Sequence, residues 1–211
     1  MAKNILNIDD HYIQYPKDAW GGTDLNNPDM INPWIEIQER VNPKRVIEIG
    51  MWAGQASLVM MSVFKNLESL VSYDPSPVSK SNARQIKKYW PQHHFYQEPI
   101  WGNEERHTDI DLIFVDGNHS GDAPFKDLRS CFEIKPRYIV IDNLEMVDVR
   151  KAVRNKYKLY DVKYDPIYWS YVNEKYSSEQ KYTMRSPGIM GLFKIEGHYE
   201  QPVGTLDKKL E

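Results

Sequence analysis

The chain has a single cysteine, Cys131, among 211 residues, so it can form no internal disulfide. A lone thiol suits a reducing compartment, and its place in an apolar-periodic helical stretch predicts a buried, inert side chain. Long hydrophobic runs are also missing: none approaches the roughly 20 apolar residues of a membrane helix. No signal-like apolar core follows Met1-Ala2-Lys3-Asn4, so a cytoplasmic protein with no membrane partner is expected. Surplus positive charge is lacking as well, the formal net charge being −3. Bulk attraction to nucleic acid is therefore not expected. Lys80, Arg84, Lys87 and Lys88 share one helix side and read as a solvated surface. Repeats and low-complexity linkers are absent. Tyrosine and tryptophan are plentiful, at 14 and 6, and suit a pocket or an interface, including one between copies of the chain.

A length of 211 residues fits one domain with a full core. From Arg45 onward, strand-like apolar runs alternate with amphipathic stretches, the pattern of a parallel sheet covered on both faces. Strands are predicted at Arg45–Ile49, Leu70–Asp74, His94–Gln97, Asp111–Asp116 and Tyr138–Asp142. Helices are predicted near Met30–Val41, Gln55–Asn66, Ser79–Tyr89, Ala123–Glu133 and Glu145–Lys156, with Ser79 as an N-cap and Pro91 and Pro136 just past helix ends. Leu159–Tyr164 and Ile189–Ile195 read as an antiparallel hairpin around a Tyr-rich excursion, Asp165–Pro187. The expected fold class is thus α/β, a Rossmann-like, doubly wound, mostly parallel sheet with a C-terminal antiparallel hairpin. Residues 1–43 are expected to form a cap or substrate region, 44–157 the cofactor core and 158–211 the hairpin with its long loop.

The most informative stretch is Arg45-Val46-Ile47-Glu48-Ile49-Gly50-Met51-Trp52-Ala53-Gly54-Gln55-Ala56-Ser57. A short β-branched strand runs into a turn with two spaced glycines and then an apolar helix. Such junctions need Gly where φ is positive or a ligand comes close. The helix that follows offers free backbone N–H groups to an electron-rich ligand. Asp74 ends the next apolar run about twenty residues on, where a Rossmann-like fold places the carboxylate that receives a ribose diol. These features point to a nucleoside-bearing cofactor.

Two further strand ends carry chemistry: Asp111-Leu112-Ile113-Phe114-Val115-Asp116-Gly117-Asn118-His119 and Tyr138-Ile139-Val140-Ile141-Asp142-Asn143. If the two strands are neighbours, Asp116, Asp142 and Asn143 converge as a hard, all-oxygen set suited to Mg²⁺, Mn²⁺ or Ca²⁺. The plain alternative is that the two aspartates cap strand ends. His119, three residues after Asp116, faces the same pocket as a proton acceptor or is an ordinary loop histidine. His11, His93, His94, His107 and His198 show no ligand spacing and read as surface or partly buried residues.

The order EIGxxxGxxS, an acid ending the second strand, DLIFVDGNH and then IDN resembles the class I S-adenosylmethionine-dependent methyltransferases. More narrowly it resembles metal-dependent O-methyltransferases of the catechol, caffeoyl-CoA and macrolide-sugar types. The resemblance covers roughly Arg45 to Asn143. It implies that Glu48, Gly50, Met51, Trp52, Gly54 and Ser57 line the cofactor's methionine and ribose side, with Asp116 beside them. It also implies that Asp74 accepts the ribose hydroxyls and that Asp116, Asp142 and Asn143 hold a divalent cation, Mg²⁺ first among the candidates. His119 matches the position of the catalytic base. Trp101 follows the third strand, in the loop that contacts adenine, and reads as a stacking partner or an ordinary Trp. The implied reaction moves a methyl group in line onto a hydroxyl of a small molecule, a sugar or a phenol or catechol. Two positions depart from the pattern: Trp52 replaces a small residue, and Gly121 replaces a tyrosine.

Other classes fit less well. A nicotinamide-dependent dehydrogenase needs GxGxxG where this chain has GxxxG, and no Tyr-x-x-x-Lys pair stands out. A nucleic-acid methyltransferase lacks its basic face. A non-catalytic cofactor-binding or assembly protein, using the Tyr-rich loop as an interface, remains the alternative.

Overall fold

The computed structural model describes residues 28–160, 163–166 and 190–196. Most of the expected N-terminal cap and of the Asp165–Pro187 excursion lies outside these residues. Helix α1 (Pro28–Val41) leads into β1 (Arg45–Ile49), α2 (Gln55–Val63), β2 (Ser69–Tyr73), α3 (Pro77–Tyr89) and β3 (His93–Tyr96). A short 3₁₀ turn, Glu104–Arg106, precedes β4 (Leu112–Val115), α4 (Ala123–Ile134), β5 (Tyr138–Ile141), α5 (Val147–Tyr160), β6 (Lys163–Pro166) and β7 (Gly191–Glu196).

The seven strands lie in the order β3-β2-β1-β4-β5-β7-β6. Strands β1 to β5 are parallel, and β7 runs antiparallel to both β5 and β6. The α/β fold class and the C-terminal antiparallel pair are as expected from the sequence. The order reverses between β1 and β4, and the crevice at the carboxyl ends of the strands there is the natural ligand site of such a sheet.

Period-two side chains divide the core into two layers. One packs Val46, Leu70, Leu112, Phe114 and Val140 under α1 to α3, with Trp34 edge-on to Phe114 at 4.8 Å between ring centroids. The other packs Ile47, Ile113, Ile139 and Ile141 under α4 and α5. Cys131 is fully buried there, and burial pushes its thiol pKa up, as expected of an inert thiol. At the opposite end of the sheet, Asp111 accepts from the backbone amides of Lys44 and Arg45 and pairs with Arg137 at 2.9 Å. That carboxylate ties β1, β4 and β5 together at their starts.

Several boundaries differ from the sequence expectation. The N-cap of α3 is Ser76, whose hydroxyl accepts from the Val78 amide, while Ser79 is buried inside the helix. Pro77 decides this, because its fixed φ and missing N–H suit the first helical position. Helix α5 starts at Val147 rather than Glu145, since Asn143 takes φ 54° and its carbonyl closes a turn with the Met146 amide. It continues to Tyr160, so the strand expected from Leu159 begins at Lys163.

Candidate functional site

The glycine turn after β1 is built by backbone geometry that its sequence permits. Gly50 has φ 87° and Gly54 φ 82°. A Cβ at Gly50 would come within 2.0 Å of the Asp116 carbonyl oxygen, so the turn lies directly against the end of β4. Helix α2 begins at Gly54 without a side-chain cap, which leaves its first amides to a ligand. Trp52 between the glycines also takes a left-handed conformation, φ 49°, with its indole exposed.

Asp74 holds this strained turn. Its Oδ2 accepts from the Met51 and Trp52 amides at 3.0 and 2.7 Å, and its Oδ1 accepts from the Ser76 amide at 2.7 Å. An ionised carboxylate has about four lone-pair sites. The turn takes three of them and leaves one for a ligand hydroxyl.

Beneath the turn, Glu48 is fully buried. Its Oε2 accepts from the hydroxyls of Ser57 and Ser72, while Oε1 has no partner. Burial pushes its pKa up to about 7, against the two hydroxyl hydrogen bonds that lower it. Behind it, His93 Nε2 lies 2.9 Å from the Ser72 hydroxyl. With the Ser72 proton directed to Glu48, His93 donates from Nε2 to the hydroxyl oxygen. The sequence places His93 at or near the surface; the structure buries it completely, and burial lowers its pKa to about 4.

Strands β4 and β5 are neighbours with Val115 opposite Ile141, so Asp116 and Asp142 leave the sheet side by side. Both are half-buried, and Asp142 Oδ1 is shut off from solvent without a hydrogen-bond partner. Burial raises the pKa of each, and the charge of Asp116 raises that of Asp142 further. His119 Nε2 stands 3.2 Å from Asp116 Oδ1. Burial alone would lower the pKa of His119, but Asp116, Asp142 and Glu145 together raise it. Gly117, His119, Asp127 and Asp142 line one recess. The amide of Asn143 donates to Glu145 at 3.1 Å. Asp116, His119 and Asp142 thus gather at one place, beside a glycine turn that faces an acidic strand end.

Residues 47–141 match a family model described as a methyltransferase domain. The matched stretch runs from within β1, through the glycine turn, to the end of β5, and Asp142 and Asn143 follow directly after it. No curated protein matches the sequence. Among solved structures, the methyltransferase PaMTH1 from Podospora anserina, bound to S-adenosylhomocysteine, superimposes with a TM-score of 0.62 at 15% identity, over 87% of this chain and 83% of that one. The O-methyltransferase from Bacillus cereus, also with S-adenosylhomocysteine, gives 0.59 at 12% identity, over 92% and 99%. The O-methyltransferase TomG from Streptomyces achromogenes, involved in tomaymycin synthesis and bound to S-adenosylmethionine, gives 0.60 at 15% identity, over 81% of each chain. These likenesses show the fold, and with the family match they bear out the methyltransferase resemblance read from the sequence.

Within the matched stretch, Trp101 sits where the third strand's loop returns toward α4. Its indole N–H donates to Asp127 Oδ1 at 2.7 Å, and Lys126 Nζ lies 4.8 Å from the ring centroid. Ile100, fully buried, anchors this loop. Sequence reasoning missed Asp127. Its signal was a lone acid on the apolar stripe of α4, in line with Pro124, Leu128 and Cys131, all of them buried. It also missed the Ser72–His93 extension of Glu48, which only the parallel register of β1, β2 and β3 brings together.

Proposed function

We propose that this chain is an S-adenosylmethionine-dependent O-methyltransferase whose acceptor is a hydroxyl of a small molecule, a sugar or a phenol- or catechol-like compound. The observation that carries this reading is the contact of the Gly50 turn with the Asp116 strand end, beside His119 and Asp142. A cofactor-type turn and a proton-handling acidic recess share one edge of the sheet. That solved structures of this fold hold S-adenosylmethionine or its product supports the choice of cofactor.

The residues fit that cofactor. The uncapped amides of α2, the one open acceptor position on Asp74 and the unpartnered Oε1 of Glu48 are complementary to a carboxylate, a ribose hydroxyl and an ammonium group. The bound cofactor supplies a methyl group already activated on a sulfonium. Positioning is then the main task of the protein, worth about 7–11 kcal/mol in favourable cases.

Asp116 and Asp142 fit a hard divalent cation, because two adjacent carboxylates with an unpartnered oxygen hold more negative charge than their surroundings compensate. Among the described residues, no group of three or more His, Cys, Asp or Glu is gathered for a metal. The proposed ligand set is therefore Asp116, Asp142 and the side-chain oxygen of Asn143, whose amide nitrogen donates to Glu145. A cation held there would acidify an acceptor hydroxyl. His119, beside Asp116, is the proposed acceptor of the hydroxyl proton.

The test is transfer of a radiolabelled methyl group to a panel of catechols, phenols and vicinal diols, with Mg²⁺ and with EDTA. The proposal expects transfer to at least one diol or phenol and its loss in EDTA. Transfer that ignores EDTA would remove the metal, and labelling of amines or thiols alone would remove the acceptor class.

A further inference from the structure

We propose that Asp127 is a positioning residue that clamps the Trp101 loop to the Asp116–His119 turn, so that the cofactor's base side and the acceptor recess are set by one carboxylate. The inference rests on the functional reading above for what the two loops hold, while the approach of Asp127 to both loops is independent of it.

Asp127 lies in the first turns of α4 and is 4% exposed, yet it is an acid on an otherwise apolar stripe. Its two oxygens face different loops. Oδ1 accepts from the Trp101 indole N–H at 2.7 Å. Oδ2 occupies the space beside Gly117: a Cβ there would come within 2.7 Å of it. Glycine at 117 is what lets the carboxylate approach this turn.

The same carboxylate lines the recess with His119 and Asp142; burial raises its pKa to about 6, against the Trp101 hydrogen bond and the charge of His119, which lower it. On the far side of the loop, Lys126 covers one face of the Trp101 ring. A buried carboxylate costs stability unless its partners hold it. An apolar side chain would serve packing better at this position, so retaining the acid is explained by the two loops it joins. Trp101 and Gly117 are sixteen positions apart in sequence, and Asp127 reaches both.

The test uses the full chain and three variants, Asp127→Asn, Asp127→Leu and Trp101→Phe. Two readouts are compared: the NMR positions of the Trp101 indole N–H and the Gly117 amide without cofactor, and the calorimetric affinity for S-adenosylhomocysteine. D127N keeps an acceptor oxygen, so the indole resonance stays in place and affinity changes by less than about threefold. D127L moves both resonances and weakens affinity about tenfold, the effect of one buried hydrogen bond. W101F, which keeps an aromatic ring but removes the donor, moves the Gly117 amide through Asp127.

A Gly117 amide that does not respond to W101F overturns the clamp. So does wild-type affinity in a folded D127L. If D127L does not fold, W101F and D127N still decide. A wild-type chain that binds no S-adenosylhomocysteine would defeat the proposed function, while the NMR coupling would still judge the clamp separately.

Discussion

Gly50 and Asp116 touch through their backbones, so closely that one added methyl group at residue 50 would fall 2.0 Å from the Asp116 carbonyl oxygen. The glycine turn and the acidic strand end are therefore one rigid unit. Since φ at Gly50 is 87°, Gly50→Ala adds a clash with backbone to an unfavourable conformation. A loss of about 3 kcal/mol or more is expected, read as a large drop in the midpoint of thermal unfolding. Gly121→Ala is the control: φ is 66° there too, but a Cβ meets nothing within 4 Å, and about 1 kcal/mol is expected.

Asp74→Ala leaves the Met51, Trp52 and Ser76 amides without their acceptor and releases a left-handed Trp52. Stability should fall by about 2–4 kcal/mol, and affinity for S-adenosylhomocysteine by at least about tenfold. Denaturant unfolding and calorimetry measure the two effects. Unchanged affinity in a folded variant would take Asp74 out of the cofactor site.

Glu48 makes a pH-dependent contribution whose sign is fixed. Its folded pKa is raised from 4.5 to about 7 by burial. Between these values the native state holds a proton that the unfolded state has lost, so stability falls as pH rises through that window. Glu48→Gln removes this slope. The stability of E48Q relative to wild type should rise from pH 4.5 toward pH 7 by up to about 1.4 kcal/mol per unit. His93, with its pKa lowered to about 4, has the opposite slope between about 6.5 and 4 and contributes it to both proteins. A flat difference between the two proteins across the window would show that Glu48 is ionised throughout.

The parallel strands and most helices were legible in the sequence because β-branched runs and apolar periodicity are local signals. Glycines and proline mark turns in the same way, although Pro77 moved the cap of α3 from Ser79 to Ser76. The site was legible where residues sit at strand ends: once β4 and β5 are neighbours, Asp116 and Asp142 must be adjacent. Relations across elements were not legible. Asp127 with Trp101, and Glu48 with Ser72 and His93, depend on register and packing that no local pattern encodes. Asn143 shows the same limit, since it opens a turn that carries Glu145, the residue at which the sequence pattern starts the helix.

Asp142→Asn separates the two roles of that carboxylate. Removing a charge whose ionisation burial and Asp116 oppose should leave stability unchanged or slightly higher without metal. Mg²⁺ should raise the unfolding temperature of the wild type, because a ligand that binds only the native state stabilises it. That increment should vanish in D142N. An equal increment in both proteins would place the cation elsewhere.

Calorimetric titration of S-adenosylhomocysteine and S-adenosylmethionine into the wild-type chain, in Mg²⁺ and then in EDTA, tests the central claim most directly. Micromolar binding of both is expected in each condition, because none of the glycine turn, Asp74 and Glu48 belongs to the proposed metal set. Absence of binding to either compound in both conditions would contradict it, leaving a methyltransferase fold put to another use.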